Sequence, residues 1–311
     1  MDIAADLAVE AFLRDELARE NRAVTAVVPV LRHLLSSDAH ALVSDAIVAR
    51  VRGMVVDCAA QLLGAMAGSD PAIRAQALID PGALDSMADA LLGDEPLLAF
   101  CHALANESLL TERFQQRQTI DPVLSPLLQE LIASDEPLIA ALAMSTLAAQ
   151  SRYVQSQRRM ELPLGELPAE LFHALVARGL AQTADETGRA GLERLQLGYD
   201  EAASRLALLA RLVAAMRRGA VAALALDHAG LALFATALAA HTRQPRAASV
   251  LACHEGQGAR LALTLRSAGL SLPVIERQFM LVEPAARMPR AVGTLTAERA
   301  AALLGADEAA Q

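Results

Sequence analysis

The chain reads as all-α: HEAT- or armadillo-like paired-helix repeats, an α-solenoid, followed by a helical C-terminal domain. Three observations predict this. Hydrophobic residues make up 54% of the 311 but aromatics only 3%, so alanine and leucine, both strong helix formers, carry the apolar content. Asp80-Pro81 and Asp94-Glu95-Pro96-Leu97 recur, without a gap, as Asp121-Pro122 and Asp135-Glu136-Pro137-Leu138. That offset, about 41 residues, is the period of stacked helix pairs. Elsewhere apolar residues step at helical spacing between Pro, Gly and capping side chains.

Taken in order, residues 1–37 hold two helices. The first, over 2–20, puts Ile3, Leu7, Phe12, Leu13 and Leu17 on one side, and the second is Val24–Leu35. Paired-helix repeats fill 38–160. Asp38–Ala46 matches Asp80–Ala88 as a worn earlier copy, and Ser69-Asp70-Pro71 opens another helix. Within the two clear copies Met87, Asp89 and Leu91 align with Leu128, Glu130 and Ile132. The recurring Asp-Pro and Asp-Glu-Pro are helix starts: the carboxylate accepts free N–H groups, and Pro fits the first turn, where its missing donor is no loss.

Arg158-Arg159, Leu162-Pro163 and Leu167-Pro168 mark a connection, and the domain boundary falls at 160–161. The second half, 161–285, opens with a helix over Pro168–Leu180. Thr183-Ala184-Asp185-Glu186 reads as a capping box leading into a long central helix. Along it Leu192, Leu195, Tyr199, Ala202, Leu206, Leu209, Val213 and Met216 alternate steps of three and four, and Glu201 stands four before Arg205. Arg217-Arg218-Gly219 stops it. The broad apolar face favours packing within the chain over a homodimer zipper. Short helices follow at Gly230–His241, Pro245–His254, Ala259–Ala268 and Leu272–Val282. Residues 286–311 read as a loose tail with a last helix over Thr296–Leu304.

The residue types present exclude several chemistries. All 27 basic residues are arginine. Without lysine there is no phosphate-loop lysine, no kinase lysine and no Schiff base. The plainest reading of the absence is a codon bias toward GC-rich DNA. The net charge of −9 argues against nucleic acid as a partner. Cys58, Cys101 and Cys253 lie far apart with no C-x-x-C, which suits reduced thiols in a cytoplasm and small core residues, not a disulfide framework or zinc site. The acidic start carries no secretory signature, and Gly219–His241, interrupted by Asp227-His228, fits a buried hairpin better than a membrane span.

No motif fixes a reaction or a cofactor. Gly256-Gln257-Gly258 lacks the third glycine and the preceding strand of a nucleotide loop, and His254-Glu255 has no second histidine in reach. His33, Asp38 and His40 match no metal-ligand spacing. The sharpest chemical reading is histidine phosphotransfer, which needs an exposed histidine on a bundled helix. His33 and His173 are the candidate phosphoacceptors, with Arg32 or Arg178 as the cationic neighbour.

Leu162-Pro163-Leu164-Gly165-Glu166-Leu167-Pro168-Ala169-Glu170-Leu171 and Ala259-Arg260-Leu261-Ala262-Leu263-Thr264-Leu265-Arg266-Ser267-Ala268-Gly269-Leu270 resemble the alphaproteobacterial family known as domain of unknown function 2336. The resemblance spans about 160–285. It implies a bacterial cytoplasmic protein of helical, repeat-like fold and supplies no catalytic residues. The expectation is a non-catalytic protein–protein interaction or regulatory scaffold with one layer of 38–160 as its contact surface; the alternative is the phosphotransfer component.

Overall fold

The computed structural model describes residues 42–68, 79–183 and 185–308. The chain divides into two compact units, Met1–Ser44 and Asp45–Gln311, and the second holds all the helices named here. The helices expected over 2–20 and Val24–Leu35, the first four residues of the worn copy at Asp38–Ala46, and the start at Ser69-Asp70-Pro71 lie outside the described residues, as do His33 and His40.

Among the described residues all regular structure is helical. In chain order the helices are α1 (Asp45–Met66), α2 (Pro81–Leu92), α3 (Glu95–Gln118), α4 (Pro126–Ile132), α5 (Pro137–Arg158), α6 (Ala169–Gln182) and α7 (Glu186–Leu197). There follow α8 (Arg205–Ala215), α9 (Leu226–Thr242), α10 (Arg246–Ala252), α11 (Gly258–Ser267), α12 (Leu272–Val282) and α13 (Ala297–Glu308). Short 3-10 turns sit at Leu164–Glu166, Glu201–Ala203, Arg217–Leu224 and Arg290–Thr294.

The first clear copy behaves as its sequence dictates. The Asp80 carboxylate accepts from Ala83 N–H at 2.9 Å to start α2, and Asp94 accepts from Leu97 N–H at 3.0 Å to start α3. The second copy departs from it. The Asp121 carboxylate accepts from Val123 and Leu124 N–H, both at 2.7 Å, so Asp121-Pro122 makes a turn in the loop. Ser125 takes over as the cap of α4, accepting from Leu128 N–H. At the start of α5 Glu136 makes no side-chain cap, and Ser134 Oγ accepts the Glu136 N–H instead. The recurring letters therefore do not repeat one capping chemistry. A cap contributes about 1 kcal/mol. Asp94→Ala should lower stability by about that amount, whereas Asp135→Ala should leave the urea midpoint unmoved; equal losses would refute the asymmetry.

The second half differs from the expected long helix. The seam breaks after Leu197: Asp200 accepts from Ala202 N–H to form a 3-10 turn, and Ser204 accepts from Ala207 N–H to start α8 afresh. Arg205 turns inward and does not pair with Glu201, whose carboxylate accepts the Ala169 N–H at the start of α6. Leu197, the last residue of α7, lies on the side away from the seam and is 87% exposed. The cap of α7 is Asp185, accepting from Gly188 N–H, in place of Thr183. The helix that organises this half is α9. It packs against α3, α4, α8, α10, α11 and α12, and its Leu226, Leu233, Phe234, Ala235 and Leu238 are buried.

The preceding turn Arg217–Leu224 meets α9 at 116°, and no single described helix is long and apolar enough to cross a membrane. The stretch expected as a loose tail holds the 3-10 turn Arg290–Thr294 and α13, the latter near the expected Thr296–Leu304. Here α13 packs on α11, burying Ala300 and Leu304, and Arg266 Nε donates to Leu295 O at 2.6 Å.

Two cores result. One gathers Met54, Cys58 and Leu62 of α1 with Leu91, Leu97, Cys101, Leu162, Leu167, Phe172 and Leu192. The other gathers Phe114, Leu127 and Leu142 with the inward faces of α8 to α12. Each draws on residues from both sides of 160–161, and α3 contributes to both. Of the Leu162–Leu167 connection, Leu162, Leu164 and Leu167 are buried. The Asp57 carboxylate of α1 accepts Leu162 N–H at 2.9 Å, and Gln61 accepts from Leu164 N–H and donates to Leu162 O, both at 2.9 Å.

Candidate functional site

Glu107 lies on the inward stripe of α3, three residues after Leu104 and three before Leu110, so helical geometry carries it into the interior. Its side chain is 1% exposed. Two arginines meet it there. Arg205, the first residue of α8, donates through Nη1 to Oε1 and Nη2 to Oε2, both at 2.8 Å. Arg246, the first residue of α10, donates Nη1 to Oε2 at 2.7 Å and Nη2 to Oε1 at 2.6 Å. One carboxylate thus receives two fork-like pairs, the strongest geometry available to it.

The surroundings satisfy what remains. Arg205 Nη1 also donates to Gln150 Oε1 at 3.1 Å, and the guanidinium lies 3.7 Å over the Tyr153 ring. Tyr153 Oη donates to Leu104 O at 2.9 Å, and Arg246 Nε donates to Thr236 Oγ1 at 2.9 Å. Burial by itself would push the Glu107 carboxyl up. The Arg205 and Arg246 guanidinium groups outweigh it and hold the carboxyl well below the usual carboxylate range. For Arg205 burial works downward, and Glu107 more than restores the charge. Burial, then the Glu107 charge, drives the Tyr153 phenol up. Carboxylate and guanidinium groups each favour the other's charged form, so the cluster is an electrostatic tie.

A cavity of about 450 Å³ opens beside it, walled by Phe100, Tyr153, Tyr199, Arg205 and Leu206 with Arg152 and Glu166 among its polar residues. The Glu166 carboxylate accepts Arg205 N–H at 2.7 Å, and Arg159 is paired with Glu161 at 2.6 Å. The tie thus adjoins a space of ligand size.

Of the candidate phosphoacceptors, His33 is outside the described residues. His173 is exposed on α6, its ring edge-on to Phe172 and Tyr199. Arg178, its expected cationic neighbour, is committed elsewhere: it donates to Ala90 O at the end of α2 and to Asp94 at 3.2 Å. Cys58, Cys101 and Cys253 are free and buried, and burial pushes the Cys101 and Cys253 thiols up to about 12. Gly256-Gln257-Gly258 is the turn between α10 and α11, where Gly256 N–H donates to the Glu283 carboxylate at 2.6 Å. Among the described residues no group of three or more His, Cys, Asp or Glu is placed to hold a metal.

Sequence reading missed Glu107 and Arg246, and took Arg205 for a partner of Glu201. The signal available was a carboxylate on an otherwise apolar helical stripe, Leu104-Glu107-Leu110; its partners are 98 and 139 residues away.

A surface feature stands apart from the tie. From Pro137 to Ser151 α5 contains no charged residue. Its inner side meets α4 and α8, while Leu138 is 67% and Met144 51% exposed, with Ala141, Ser145 and Ala148 exposed between and beyond them.

The class these features define is an all-α protein whose two cores are joined by a buried Arg-Glu-Arg tie. No family model, curated protein or solved structure matches the chain.

Proposed function

We propose that the chain is a non-catalytic protein–protein interaction or regulatory scaffold, its contact surface the outer side of α5. The supporting observation is the uncharged, solvent-facing run of Leu138, Ala141, Met144, Ser145 and Ala148 on a helix whose other side is already packed. Scattered exposed apolar residues are ordinary, but a continuous uncharged face invites a partner. α5 lies in the paired-helix region, where stacked repeats present their exposed layer. The buried free thiols suit a reducing cytoplasm. Membership of the domain of unknown function 2336 family and a bacterial source belong to the same reading, as does the choice between a single copy and a homodimer.

A photo-crosslinking residue at position 144 of the full chain, irradiated in the native host, tests it. One discrete heterologous adduct is expected, lost when Leu138→Asp is added and not formed from a control crosslinker at position 303. An absent adduct, or the same pattern from both positions, would sink the reading. An adduct of twice the chain's own mass would turn it into self-association.

A further inference from the structure

We infer that the groove between α8 and α9 is the docking site for an acidic amphipathic helix of a partner protein. This goes beyond the α5 surface and stands on separate observations. The groove encloses about 580 Å³ and is floored by small side chains. Leu206, Ala210 and Ala214 stand four residues apart on α8, and Thr236 and Ala240 do so on α9, so two neighbouring helical ridges border it. Alanine tips keep those ridges low, which leaves space for the ridge of a third helix.

Its charge is opposite to that of the chain. Although the whole carries −9, residues 202–254 contain six arginines and a single carboxylate, Asp227, which is paired with Arg277. Arg217, His241 and Arg246 line the groove, and no acidic side chain does. Arg246 is 18% exposed, and the Glu107 it binds is already shared with Arg205, so one carboxylate faces two cations. An acidic occupant is therefore favoured at the rim while apolar side chains meet the floor. A helix fits better than an acyl chain. Ala210, Ala214 and Ala240 are exposed, so the groove is open above, and a helix covers that side with its own polar face.

The test uses the full chain and a fluorescein-labelled model helix of Leu, Ala and Glu, with leucines at i, i+3, i+4 and i+7, beside its twin carrying Arg in place of Glu. Fluorescence anisotropy should show the acidic peptide binding at least tenfold tighter than the twin, weakening as salt rises. Arg217→Glu and Ala214→Trp, both at exposed positions, should each reduce its affinity tenfold or more with circular dichroism unchanged. Equal binding of the twins, or affinity untouched by both substitutions, overturns the proposal. So does capture by phosphatidylglycerol vesicles that Arg217→Glu abolishes, without peptide binding, which would assign the groove to a membrane surface. Self-association abolished by Ala214→Trp, again without peptide binding, would assign it to a second copy.

Discussion

Glu107→Gln should lower the unfolding free energy by about 3–5 kcal/mol, the loss typical when one partner of a buried ion pair is removed. The amide keeps the shape of the carboxylate but leaves the Arg205 and Arg246 guanidinium groups facing each other with no counter-charge, in a site where Glu107 is 1% and Arg205 2% exposed. Urea unfolding at neutral pH measures the effect. A loss under about 1 kcal/mol, within the range of an exposed pair, would mean that water already serves the two cations.

The pH dependence has a definite sign. Glu107 has a lowered pKa in the folded chain, so its contribution is complete above the unfolded carboxyl value, about 4.3. It is lost as pH falls from there toward the folded value. The wild-type chain should therefore lose stability more steeply than Glu107→Gln below about pH 4, and the gap between them should narrow. Replacing all three residues together, as Glu107→Leu, Arg205→Met and Arg246→Met, should recover much of the single-variant loss, because no buried charge is then left uncompensated.

Gly191→Ala is expected to be nearly as damaging, for a steric reason. A Cβ at position 191 of α7 would lie 1.8 Å from Ala65 O and 2.9 Å from its carbonyl carbon on α1. A backbone carbonyl cannot rotate aside, so the helices must part, and Gly188 in the turn before would meet Met66 O at 3.2 Å in the same way. Alanine gains about 1 kcal/mol over glycine in helix propensity. Overpacking of this severity lies at or beyond the upper end of the usual 1–3 kcal/mol, so a net loss of roughly 2 kcal/mol or more is expected. Thermal unfolding of the full chain measures it. An unchanged or raised midpoint would show that α1 and α7 are not held at this distance.

Local chemistry made most of the helices legible. The Asp94 cap, the Pro-started α12 and the Gly-, Pro- and Arg-punctuated helices after 225 lie within a few residues of their expected spans, since each signal acts within a turn or two of its own position. The unbroken heptad over 192–216 misled for a related reason. Periodicity records which residues prefer burial, and Leu192, Leu209 and Val213 are buried, but it does not record whether the chain stays straight between them. Gly198 and the capping side chains of Asp200 and Ser204 break the helix there. The missed tie has a different origin. Glu107, Arg205 and Arg246 belong to three separate helices, and only folding places them together.

By itself the sequence determined the helical class, the absence of lysine chemistry, the caps of the first repeat copy and the burial of all three cysteines, because these follow from side-chain type and near neighbours. Only the tertiary structure decided that both cores cross residue 160, that Leu162–Leu167 is pinned to Asp57 and Gln61, and that one carboxylate serves two arginines. Those depend on helix crossings between residues about a hundred positions apart. There the large desolvation of a charge can be offset only by partners that no local pattern announces.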